Sequence, residues 1–122
     1  MNVEFFNTMS EAIMADFKLK SRHWIVDADG NIILGEGRRE ILENIEKTGS
    51  LNQTAKIMKM SYKGVWSKVK ATEEHLKMKV ITTNKKRGSV LTKEGKELLR
   101  KYAELQEQCM KMDDHIFNSL FR

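Results

Sequence analysis

The sequence is poor in residues that staple, span or coordinate. Its single cysteine, Cys109, can neither close an internal disulfide nor build a thiolate metal site, and it suits a reducing compartment. The longest apolar run, Ala12 to Ala15, falls far short of the ~20 residues that cross a bilayer. Glu4, Glu11 and Asp16 precede any basic cluster, so no signal peptide is expected and the expected location is cytoplasmic, without membrane contact. His23, His75 and His115 are scattered, and Cys109 and His115 fall on different faces of any helix, so no metal is expected. No nucleophile, acid–base pair or phosphate loop stands out. The expectation is a protein that is not an enzyme and has no cofactor and no small-molecule ligand. At 122 residues the chain has room for one core, hence one domain.

What is abundant is positive charge, and its position is informative. The net +5 divides unevenly: Ser50 to Tyr102 carries fourteen Lys or Arg against four Glu, and the remainder carries eight against thirteen acids. A Lys-rich face is often only solvated. Concentration of the surplus over one segment favours a polyanionic partner, double-stranded DNA first.

That segment has the pattern of a helix-turn-helix. Ser50 is a suitable N-cap for a helix running to about Lys59, with Ala55 small enough for a tight crossing and Leu51, Ile57, Met58 and Met60 around it. A second helix opens at Ser61, where Val65, Val69, Thr72 and Leu76 recur at spacings of four, three and four and define a core face. The opposite face carries Tyr62, Lys63, Ser67 and Lys70, which can donate to phosphates and read base edges from a major groove. Trp66 is expected to anchor its ring beside the core with the indole N–H toward phosphate. Gln53 and Thr54, near the start of the preceding helix, are positioned to hold a phosphate. Beyond Leu76, the β-prone Val80 to Thr83 and Val90-Leu91 flank a basic turn containing Lys85, Lys86, Arg87 and Gly88, the outline of a wing.

The flanks complete an expected α+β architecture, mainly helical with little strand: an N-terminal helix over 1–19, a β-hairpin over 20–36, a winged helix-turn-helix core over 37–91 and a long dimerisation helix over 92–122. Phe5, Phe6, Met9, Ile13 and Phe17 form an amphipathic stripe near helical spacing. His23, Ile25 and Asp27 then alternate with Trp24, Val26 and Ala28 before the turn-forming DADGN. Asp27, Asp29 and Asn31 do not make a calcium loop, because Ile32 and Arg38 stand where glycine and glutamate are needed. Gly35 and Gly37 lack the third glycine of a dinucleotide fingerprint. Arg38 to Thr48 is a short helix stopped by Gly49. Thr92 caps the last helix, where Leu98, Tyr102, Leu105, Cys109, Met112 and Ile116 alternate at four and three, a narrow seam suited to pairing in a homodimer.

Gly49 to Leu76 resembles the helix-turn-helix of LysR-type regulators in its Gly-Ser start, Ala55, Ser61 and the spacing of Glu73 and Leu76. The segment Ser61 to Trp66, SYKGVW, with Leu91-Thr92 and Gly95, resembles more closely the DNA-binding domain of the molybdate-responsive ModE regulators. Over roughly Gly35 to Gln108 the resemblance implies a dimeric winged-helix regulator on palindromic operator DNA. ModE regulators carry molybdate-binding domains that this sequence is expected to lack, and their wing is longer and richer in glycine. Two other readings are an interaction module that binds a partner protein and an architectural protein that binds all DNA alike.

Overall fold

The computed structural model describes residues 16–122, so the helix expected near the N-terminus lies outside the described residues. The elements run β1 (Ile25–Val26), β2 (Ile32–Leu34), α1 (Glu36–Thr48), α2 (Leu51–Met58), α3 (Tyr62–Leu76), β3 (Ile81–Asn84), β4 (Gly88–Leu91) and α4 (Lys93–Phe121). They fall into two compact units: Arg22–Ala103, and Glu104–Arg122 together with the segment that ends at Ser21. The 29-residue α4 contributes to both.

The core of the first unit gathers Leu34, Ile41, Leu42, Ile45, Leu51, Ala55, Val65, Val69, Val80, Ile81, Leu91 and Tyr102. Ile41, Leu42 and Ile45 come from one face of α1, and Ala55 and Val65 from the crossing of α2 and α3. Truncating a member such as Ile45 costs about 2–5 kcal/mol where the cavity cannot close. Ile57, expected among these contacts, is exposed because α2 turns it outward; Met58 and Met60 do pack on the core.

Local chemistry sets the helix boundaries. Gly49 ends α1 at φ +69°, its N–H donating to the Ile45 carbonyl at 2.8 Å. Ser50 caps α2 by accepting from Gln53 N–H at 3.1 Å, and Ser61 caps α3 by accepting from Gly64 N–H at 2.9 Å. Between them Lys59 sits at φ +55° and Met60 N–H donates to Ala55 O at 2.9 Å, closing the short turn that sets the two helices across each other.

The first hairpin is shorter than its alternating pattern suggests. Asp27 Oδ1 accepts from the N–H groups of Asp29 and Asn31, both at 2.9 Å, an Asx-type turn that draws the chain round before more pairs can form. Its pairing is irregular between Ile25 and Val26. The second hairpin keeps one register from Ile81↔Leu91 to Asn84↔Gly88. Gly88 lies at φ +72°, and a Cβ there would stand 2.3 Å from the Gly49 carbonyl oxygen. That oxygen accepts from Ser89 N–H at 2.8 Å, pinning the base of the hairpin to the turn between α1 and α2.

Candidate nucleic-acid interface

On α3, Val65, Val69 and Thr72 are buried, and the Thr72 hydroxyl donates to the Ile33 carbonyl at 2.8 Å, which fixes the rotation of the helix against β2. At about 100° per residue, Ser67 stands roughly 160° from both Val65 and Val69. Lys63 and Ser67 are exposed on that outer side, with no side-chain partner among the described residues. Ser61 and Tyr62 are exposed at the N-terminal end of the helix.

Lys70 has a structural partner. Its Nζ lies 3.0 Å from Glu73 Oε1 and 5.5 Å from the centre of the Trp66 ring. The hydrogen bond to Glu73 holds the Lys70 ammonium above its ordinary pKa. The Trp66 ring is 44% exposed and outside the core, a correction to the anchoring role expected of it: the one step from Val65 rotates the indole clear of the packed face.

In the sequence Glu73 stands out only by its spacing to Leu76 in the LysR-type resemblance, with no role attached, yet it joins two elements. It is 6% exposed, and its Oε2 accepts from the N–H groups of Val80 at 2.8 Å and Ile81 at 3.2 Å. Burial alone raises its pKa, but the Val80 N–H, Lys70 and the Ile81 N–H outweigh burial and hold the carboxyl below its usual range. One carboxylate thus ties the exit of α3 to the start of β3. Sequence shows only an acid near the end of an amphipathic helix.

At the start of α2, Gln53 is exposed while Thr54 has 0% exposure and donates its hydroxyl to the Ser50 carbonyl at 2.8 Å. Thr54 is therefore part of the junction between α1 and α2, where it cannot make the phosphate contact expected of it. Lys85, Lys86 and Arg87 occupy the tip between β3 and β4; all three are exposed, with no side-chain partner among the described residues. The tip is shaped by Asn84, whose side-chain oxygen accepts from Lys86 N–H at 2.8 Å.

The seam expected on the last helix has two different environments. Tyr102 is 1% exposed, with its hydroxyl donating to the His23 carbonyl at 2.6 Å, and Leu98 packs on the same core. Burial raises the Tyr102 pKa, and the Glu36 charge raises it further against the opposing Arg39. Tyr102 is fully occupied within its own unit, a correction to the dimer contact expected of it, while Leu98 is only partly buried there. Leu105, Met112 and Ile116 are exposed, Met112 at 59%, and Cys109 is a half-buried free thiol. Among the described residues, no cluster of His, Cys, Asp or Glu is placed to hold a metal, and no helix is long and apolar enough to cross a membrane.

Residues 38–96 match the family of bacterial regulatory helix-turn-helix proteins of the lysR type. The chain is also similar to the molybdenum transport protein ModE of Azotobacter vinelandii, 28% identical over 99 residues, which cover 78% of this chain and 37% of that protein. The chain thus spans well under half the length of that relative. The match encloses α2, α3 and the hairpin, the elements that carry the exposed cations described above. Residues 38–96 form a helix-turn-helix domain that matches the bacterial regulatory lysR type, in a chain similar to ModE over 78% of its length.

Proposed function

We propose that this protein is a sequence-specific regulator that binds a palindromic operator as a homodimer in the cytoplasm. In this reading α3 lies in the major groove, Lys63 and Ser67 address base edges, and Ser61, Tyr62, Trp66 and Gln53 line the approach. Lys70 contributes charge while paired to Glu73. Lys85, Lys86 and Arg87 neutralise phosphates beside the groove. The observation that carries the reading is the pairing of an unpartnered Lys63–Ser67 face, opposite the core face of α3, with three unpartnered cations at the tip of the hairpin. Selection from a random duplex library tests it: one enriched inverted repeat supports the reading, and uniform recovery overturns it in favour of architectural binding.

Dimerisation is assigned to the row of exposed Leu105, Met112 and Ile116 with half-buried Cys109 on α4, whose spacing of four, three and four suits a helix pair. Leu105→Glu should shift light-scattering mass from dimer to monomer, because an unpaired charge in such a seam is costly. A wild-type monomer at working concentration would remove this part of the proposal. Two linked heads would engage half-sites about 34–36 Å apart.

A further inference from the structure

A groove in the first unit has a chemistry that DNA contact does not use. It encloses about 260 Å³ between the segment entering β1, the N-terminal turn of α1, the turn joining α2 to α3, and Lys68 on the flank of α3. That volume lies just below the ~300 Å³ at which pockets for drug-sized ligands begin, so any occupant is small. Its floor is apolar: the Trp24 ring packs over Gly35, where a Cβ would stand 2.7 Å from Trp24 Cδ1, and Ile41, Met58 and Met60 complete it. The same ring is 58% exposed toward solvent.

The rim is cationic. Arg22 and Lys68 are exposed and have no ion pair or hydrogen bond among the described residues. Arg38 is held in the wall by donating to the Ile32 carbonyl and to Thr72 Oγ1, the latter at 3.1 Å. Glu36 is the acid in the lining, and its carboxylate is paired to Arg39. Two uncommitted cations above an aromatic and thioether floor complement a small molecule with an anionic end and a flat apolar body.

We infer that this groove binds a small amphipathic carboxylate, its anion between Arg22 and Lys68 and its apolar part against Trp24, Met58 and Met60. Sequence alone predicts no such ligand, because the lining residues come from four separate stretches of chain. The test uses the full chain without DNA, so its failure leaves the regulatory reading standing. Backbone and indole N–H resonances are followed by NMR while phenylacetate, phenylacetamide, inorganic phosphate and molybdate are titrated separately. Saturable shifts at the Trp24 indole, Gly35 and Met60 with phenylacetate, and weaker response to the other three, are expected. Arg22→Gln and Lys68→Gln, both at exposed positions, should each weaken phenylacetate about tenfold. The inference is overturned if phenylacetate gives no saturable shift at these residues, if the neutral amide binds equally well, or if the inorganic anions bind as tightly, which would leave the apolar floor without a role.

Discussion

Replacing Glu73 by glutamine tests how α3 is joined to the hairpin. The wild-type carboxylate accepts from two backbone N–H groups, those of Val80 and Ile81, and from Lys70 Nζ at 3.0 Å, in a site with 6% exposure. A hydrogen bond to a charged group contributes about 1.5–3 kcal/mol, and Glu73→Gln keeps the shape while weakening all three, so a loss of about 2–4 kcal/mol is expected. Because the folded pKa of Glu73 is depressed, its contribution is fully present above the unfolded carboxylate value of about 4.3. It is lost as pH falls through the lower folded value. Urea unfolding of both proteins should therefore show a wide stability gap at neutral pH that narrows in acid, as the wild-type carboxyl takes up its proton. A glutamine variant as stable as the wild type at neutral pH would refute the reasoning. A gap of unchanged width in acid would show that the charge is not its source.

Other positions give independent checks. Gly95→Ala would place a Cβ 2.2 Å from the Val80 carbonyl oxygen, so the first turn of α4 must shift, and thermal melts should show a loss of about 1–3 kcal/mol; an unchanged melting temperature would disprove that close approach. Replacing Lys85, Lys86 and Arg87 together by alanine should weaken binding to operator and scrambled DNA alike and flatten the salt dependence by about 0.9 in slope for each phosphate left without its cation. Ser67→Ala and Lys63→Ala should instead change which bases are preferred, by about 1–3 kcal/mol at the affected position, as read by competition titrations. Loss of discrimination in the triple variant, with preserved preference in the two helix variants, would move base reading to the hairpin.

The features legible in the sequence are those decided within a few residues. Ser50 and Ser61 announce helix starts because a cap uses an N–H three residues away, and Gly49 and Gly88 mark left-handed backbone that other residues resist. The core face of α3 follows from helical spacing alone, so Val65, Val69 and Thr72 fall where that spacing puts them. Thr54 and Glu73 are out of reach for a complementary reason. Each is polar and each is buried by surroundings that its own periodicity does not show: Thr54 by the junction with α1, where the Thr48 hydroxyl lies 3.5 Å from its own, and Glu73 by the N–H groups of the incoming strand. Composition scores such residues as surface, while the hydrogen bonds that make their burial tolerable are set by the fold.

The last helix shows the same limit in a single row. A repeat of four and three states that a face is apolar but not what covers it, and Leu98 through Ile116 form one unbroken repeat. Tyr102 is satisfied by the core of its own unit, with its hydroxyl on the His23 carbonyl, and Leu98 packs partly on the same core. From Leu105 onward the repeat continues on side chains that, apart from half-buried Cys109, remain exposed, with Met112 and Ile116 about half open to solvent. A helix needing only to cap its own core has no reason to hold the repeat beyond Tyr102, since exposed Leu, Met and Ile add nothing to solubility and enlarge an apolar patch. Persistence of the period past Tyr102 calls for a cover on that face, and the proposed dimer would supply one. The alternative is the chain's own segment ending at Ser21, which groups with Glu104–Arg122 and whose Ser21 hydroxyl donates to Asp113. The dimer reading separates the row into residues whose truncation should destabilise the monomer, Leu98 and Tyr102, and residues whose truncation should leave the fold intact and change the assembly, Leu105, Met112 and Ile116.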